Sequence, residues 1–159
     1  DCTYRGSYGE LDQRVAVMDQ RVSLITLGVT DLADAARFYD ALGWTRADNA
    51  EPGIVVYDLI GQSLCLYPRE HLAKDIGIPV EVLGTGGTTL AYNVETAADV
   101  TRLTELALAA GAKVLRPAGK VFWGGTISYI SDPDGHIWEF AHNPFSALGP
   151  DGAFRWGGY

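Results

Sequence analysis

Ser23-Leu-Ile-Thr-Leu-Gly-Val-Thr-Asp-Leu-Ala-Asp-Ala-Ala-Arg-Phe-Tyr-Asp-Ala-Leu-Gly43 is answered later in the chain by Thr88-Thr-Leu-Ala-Tyr-Asn-Val-Glu-Thr-Ala-Ala-Asp-Val-Thr-Arg-Leu-Thr-Glu-Leu-Ala-Leu-Ala-Ala-Gly111. Both stretches open with a β-rich run. In the first, alternation puts Ile25, Leu27 and Val29 on one face and Leu24, Thr26 and Gly28 on the other. Each run ends at a capping residue, Asp31 or Thr96, with an acid three positions on, Asp34 or Asp99. Apolar residues then recur at helical spacing (Leu32, Ala35, Ala36, Tyr39, Leu42; Val100, Leu103, Ala107, Ala110) until Gly43 and Gly111 close the helices.

Working outward, strands are expected over 53–60 and 62–67 with Gly61 as the turn, and a weaker one over 44–46. In the second half, strands are expected over 113–116, 125–131 and 136–142, the last two joined by Asp132-Pro133-Asp134-Gly135. Each half therefore reads as βαβββ. An internal repeat of this length is a stronger fold signal than any single motif. One such unit leaves one face of its sheet uncovered; two can join into a curved mixed sheet with helices on the convex side and a cavity within. The expected class is α+β. Ile25, Leu27, Leu64, Leu66, Leu90, Tyr92, Trp138 and Phe140 should face the helices. The opposite faces carry Leu24, Thr26, Ser63, Cys65, Thr89, Asn93 and Glu139, a mixture suited to a ligand cup.

The expected organisation is an extension over 1–17, a first module over 18–67, a linker with a short helix over 68–87, a second module over 88–146 and a tail over 147–159. Residues 1–17 are polar and rich in Gly and Tyr, and the only Met is Met18, so the stretch reads as vector-derived or an upstream extension, or as an arm packing on a neighbouring subunit.

Composition narrows the function. The 159 residues include 47% apolar and 20% charged residues, enough to build a core. Twelve Lys and Arg against 20 Asp and Glu give a formal charge of −8, which argues against nucleic-acid binding and is compatible with a cationic ligand. No apolar run approaches the roughly 18–20 residues of a membrane span. Cys2 and Cys65 show neither zinc-site nor disulfide spacing, and a cytoplasmic location is the default expectation.

Leu27-Gly-Val-Thr-Asp-Leu with Arg37-Phe-Tyr-Asp-Ala-Leu-Gly-Trp44, and the closing Asp132-Pro-Asp-Gly-His-Ile-Trp-Glu-Phe140, resemble the vicinal-oxygen-chelate superfamily of glyoxalases, bleomycin-resistance proteins and extradiol dioxygenases. The likeness implies a homodimer whose paired modules build the sites, and a divalent metal held at four inward positions. By motif these positions are Leu24, Cys65, Thr89 and Glu139, where the family uses His, Glu or Gln. Glu139 alone is a good donor for a hard or borderline ion, so neither metal nor other cofactor is expected. Of the three histidines, His136 precedes the last strand, His142 has the wrong parity to join Glu139, and His71 lies in the linker helix.

Glu139 reads as a solvated wall carboxylate, a counter-ion for a cationic ligand, or a general base raised by desolvation. Phe122-Trp123-Gly124-Gly125 places two flat rings on a loop whose backbone can approach a ligand, although Trp123 could equally seal a subunit or module interface. With Tyr57 and Tyr129, these aromatics are expected to rim the cup; Thr89, Asn93, Cys65 and Leu24 should line it. The leading expectation is a metal-free protein that binds or sequesters a planar or cationic small molecule. The alternative is a lyase, isomerase or dioxygenase-like enzyme with an altered metal site or with Glu139 as base.

Overall fold

The computed structural model describes residues 18–48 and 51–159; the extension expected over 1–17 lies outside them. The first half runs β1 (Leu24–Val29), α1 (Leu32–Ala41), β2 (Val55–Asp58) and β3 (Ser63–Pro68). After helix α2 (Arg69–Ile76) the second half runs β4 (Thr89–Asn93), α3 (Ala97–Ala110), β5 (Lys113–Lys120), β6 (Thr126–Ser131) and β7 (Ile137–His142). The fold is α+β, with a three-stranded sheet β1-β3-β2 and a four-stranded sheet β4-β7-β6-β5. In each sheet the first strand lies parallel to the last of its module and the remaining pairs are antiparallel. That shared order is the structural form of the sequence repeat. No helix among the described residues is long and apolar enough to cross a membrane.

Local chemistry explains the helix starts. Asp31 and Thr96 have extended backbones, and their side chains accept from the N–H groups of Asp34 and Asp99, satisfying donors that the first turn leaves unpaired. Gly111 closes α3 at φ 115°, where a residue with a Cβ would be strained.

The first module is one strand short of the expectation. Residues 44–46 form no strand, and the segment keeps only one ladder-like bond, Ala47 N–H to the Val56 carbonyl at 2.8 Å. Side chains hold it elsewhere. The Trp44 ring stacks on Tyr39 at 5.5 Å and meets Trp138 edge-on at 5.7 Å, while Arg46 pairs with Asp40 on α1 at 2.8 Å. Strand β5 runs four residues beyond the expected end, through Pro117, at the cost of register shifts against β6.

α1 packs on β3, α3 packs on β5, β6 and β7, and the two helices touch. One hydrophobic core therefore serves both modules, joining Leu27, Leu64 and Leu66 to Val100, Trp138 and Phe140. Ile25 and Leu90 are partly buried against it as expected, but Tyr92 is 46% exposed. The closing hairpin ties the halves together. Tyr39 Oη donates to Asp132 Oδ2 at 2.6 Å and accepts from Trp138 Nε1 at 3.1 Å. His136 Nε2 donates to the Gly28 carbonyl at 2.8 Å, and Thr30 N–H donates to Asp134 Oδ1 at 2.7 Å.

The remaining face of the first sheet is not an open cup. Helix α2 packs on β1 and β3, and Leu72 and Arg69 come so close to Gly28 that a Cβ there would lie 3.2 Å from Leu72 Cδ2. Cys65, on the same face, is buried.

Candidate functional site

The cleft opens on the second sheet. It has a volume of about 1410 Å3, above the roughly 300–1,000 Å3 of most ligand pockets. Its floor is the face of β4 and β7 carrying Ala91, Asn93, Glu139 and Ala141, which the parallel register places side by side. One wall comes from the first module, through Trp44, Asp58, Ile60 and Gln62. Trp123 and the C-terminal segment Asp151–Trp156 supply the other wall.

Glu139 sits opposite Tyr129 in the β6–β7 register, and the Tyr129 hydroxyl donates to Glu139 Oε2 at 3.0 Å. Burial raises the Tyr129 phenol above its ordinary value, and its bond to the carboxylate holds it protonated further. Tyr129 is thus a fixed donor that orients Glu139 and leaves the other carboxylate oxygen open to the cleft. Trp123 is 38% exposed, with its ring lying over Gly125 where a Cβ would otherwise project. Gly124 has φ 98° and approaches the Phe145 ring, so both glycines of the loop are needed for its shape.

The expected site residues separate into two groups. Glu139, Asn93 and Trp123 line the cleft, and Tyr129 supports Glu139 from the neighbouring strand. Phe122, beside Trp123, projects fully into solvent. Leu24 (half exposed), the buried Cys65 and the exposed Thr89 stand outside the cleft wall. Tyr57 is not at the rim. It pairs with Leu64 on the helix side of its sheet, is 1% exposed, and donates to the Ala36 carbonyl at 3.1 Å and to Asp40 at 2.9 Å. Its parity within β2 follows Leu64 and Leu66, which was readable once the hairpin register was known.

Two parts of the lining lie outside the sequence expectations: Trp44, in a segment where a strand is expected, and the C-terminal wall. A signal for the latter exists: Trp156-Gly157-Gly158 repeats the aromatic–Gly–Gly pattern of Trp123-Gly124-Gly125.

The donor chemistry does not fit the four-ligand metal centre. Leu24 offers no donor, Thr89 a poor one, Cys65 is buried on the first sheet, and among the described residues no three His, Cys, Asp or Glu side chains converge on a point that could hold an ion. No buried side-chain nitrogen or oxygen among them lacks a hydrogen-bond partner, so no orphaned group points to a missing ion either.

A family model described as Glyoxalase/Bleomycin resistance protein/Dioxygenase superfamily matches residues 21–140. Among solved structures, a glyoxalase-related enzyme from Fulvimarina pelagi is 39% identical, with a TM-score of 0.80 over 87% of this chain and 99% of that one. A hypothetical protein from S. aureus is 25% identical, with a TM-score of 0.68 over 80% of this chain and 96% of its own. A lactoylglutathione lyase from Agrobacterium tumefaciens shares the fold at 20% identity, TM-score 0.60, covering 79% of this chain and 96% of that one. No curated protein matches the chain.

Proposed function

Since the chain belongs to the glyoxalase/bleomycin resistance protein/dioxygenase superfamily, whose fold hosts several chemistries, we propose that it binds a planar or cationic small molecule in this cleft, without the family's metal centre. The observation that carries this reading is Glu139, held by Tyr129 on the floor of a cleft walled by Trp44, Trp123, Phe154 and Trp156. Asp58 and Asp151 add carboxylates to the same cleft. Aromatic faces and carboxylates together favour flat cations, through ring-quadrupole attraction and direct charge pairing. Without the other three donors of the family's ligand set, Glu139 acts as a counter-ion.

The working unit is a homodimer in the cytoplasm. Ile60, Tyr92, Phe154 and Trp156 are both cleft-lining and exposed, and Phe122 and Phe145 extend the apolar rim beyond it. Large exposed apolar patches of this kind are uncommon on monomers. A second copy on this rim would narrow a cleft that is wide for one small ligand.

The test compares tryptamine, a planar cation, with indole, its neutral ring, by isothermal titration calorimetry. Tryptamine should bind more tightly, and Glu139→Gln should remove that preference while leaving indole binding as it was. Equal affinity for the two, or a preference that survives Glu139→Gln, would refute the counter-ion role. Light scattering on the same samples should give twice the chain mass; a monomer would refute the dimer.

A further inference from the structure

We infer that the ligand of this cleft also carries an anionic group, and that Arg155 of the C-terminal segment receives it. The inference rests on the reading of the cleft as a small-molecule site and adds a second charged anchor to it.

Among the described residues lining the cleft, Arg155 is the only Lys or Arg, and the same lining holds Asp58, Glu139 and Asp151. With those carboxylates around the same space, it still forms no ion pair among the described residues. Its guanidinium lies 6.0 Å from the centroid of the Tyr159 ring. Planar and carrying five donors, a guanidinium in that state is ready for bidentate recognition of a carboxylate or phosphate.

The segment that carries it is built rather than trailing. The buried Ser146 hydroxyl donates to the Arg155 carbonyl at 3.0 Å, with the Trp156 carbonyl at 3.4 Å. Tyr159 N–H donates to the Ala147 carbonyl at 3.1 Å, and Gly149 N–H to the Ala153 carbonyl at 2.8 Å. Two glycines admit the close packing. A Cβ on Gly149 would stand 2.7 Å from the Tyr159 ring, and one on Gly158 would stand 3.1 Å from the Ala147 nitrogen. These contacts fold residues 146–159 back on themselves and fix where Arg155 starts from.

The segment also lies beyond the matched family region, which ends at residue 140. The shared fold supplies the floor and Glu139. The cation comes from a part of the chain that the family model does not cover. A ligand spanning both would be amphoteric: a cationic or flat body on Glu139 and the rings, with a carboxylate or phosphate on Arg155.

Tryptophan and tryptamine share ring and ammonium and differ by one carboxylate, so they isolate this contact. Calorimetry on the intact protein should show tryptophan binding about three- to tenfold more tightly than tryptamine, the scale of one partly solvated charged hydrogen-bonded pair. Arg155→Met should equalise the two, and Arg155→Lys should restore part of the difference. 1-Amino-2-(indol-3-yl)ethylphosphonate, which keeps tryptophan's ring and ammonium and replaces only the carboxylate, distinguishes a phosphate-type from a carboxylate-type partner by which is lost more on Arg155→Lys, since a point charge replaces a fork. Equal binding of tryptophan and tryptamine by the wild type overturns the Arg155 role and leaves the cation reading standing. A preference that survives Arg155→Met overturns it too. If neither compound binds, the cleft reading falls and this inference with it.

Discussion

The Tyr39 hydroxyl lies 2.6 Å from Asp132 Oδ2, a contact between residues 93 positions apart in the chain. Tyr39 is fully buried, and its oxygen also accepts from Trp138 Nε1. Removing the hydroxyl by Tyr39→Phe leaves a buried carboxylate oxygen and a buried indole N–H without their partner. The expected cost is about 2–4 kcal/mol, the scale of losing bonds to a charged and a neutral group in the interior. Urea unfolding of wild type and variant measures it, and a loss under about 0.5 kcal/mol, the range of ordinary surface substitutions, would show that the contact does not join the modules.

The same carboxyl sets a pH dependence. Burial raises Asp132 above its ordinary value of 3.8, opposed by bonds from Tyr39 and from the backbone N–H groups of His136 and Asp134. A carboxyl raised by folding contributes stability that is fully present below its unfolded value and is lost as pH rises through the folded one. The stability difference between wild type and Asp132→Asn should therefore move in favour of wild type as pH falls from neutrality towards 3.8. A shift in the opposite direction would mean that the hydrogen bonds outweigh desolvation. Asp40, lowered chiefly by its bond from Arg46, works the other way, and its contribution fades as pH falls.

Trp123 and Gly125 act as a pair. The indole occupies the space a Cβ on Gly125 would need, so Gly125→Ala must turn the ring away. Trp123→Ala and Gly125→Ala should weaken tryptamine binding alike, by roughly 1–3 kcal/mol, the range of aromatic and cation–ring contacts. Far-ultraviolet circular dichroism should be unchanged in both. A Trp123→Ala protein that binds normally but has become monomeric would move this ring from the site to the subunit contact.

Metal content gives an independent check on the donor set. Protein purified without chelator should carry no stoichiometric Ni, Zn, Fe or Mn by elemental analysis. Near one equivalent of metal, lost in Glu139→Ala, would show that Glu139 recruits donors from outside the described residues.

The repeat was legible because its signals are local: a cap at Asp31 and Thr96, a glycine stop at Gly43 and Gly111, and a period of two changing to 3.6 between them. Glu139 and Asn93 were legible because strand parity fixed their face, and Trp123 because an aromatic followed by two glycines marks a loop that can approach a ligand. Tyr57 was misplaced because its side depends on the register of β2 against β3, which the turn at Gly61 sets and composition does not reveal. The segment at Trp44 looked like a strand until its ring found Tyr39 and Trp138, partners that only tertiary packing supplies. Leu24, Cys65 and Thr89 carried over as positions of a shared motif. In this chain α2 packs on the first sheet, so the cleft is floored by the second sheet and walled by the first module's Trp44, Asp58, Ile60 and Gln62 and by the C-terminal segment.

The contacts of Tyr39 also order events during synthesis. Its acceptor and its donor lie 93 and 99 residues downstream, so the ring at the centre of the first module emerges long before either exists. At roughly 5–20 residues per second, a ribosome needs about 5–20 s to deliver Trp138 after Tyr39. Throughout that interval the nascent first half holds an incomplete core, without Val100, Ile130, Trp138 and Phe140. A chain released early, at the linker, would be left in that condition permanently. The two halves read as copies of one unit, yet they share a single core, and the ring at its centre finds its partners only in the other half.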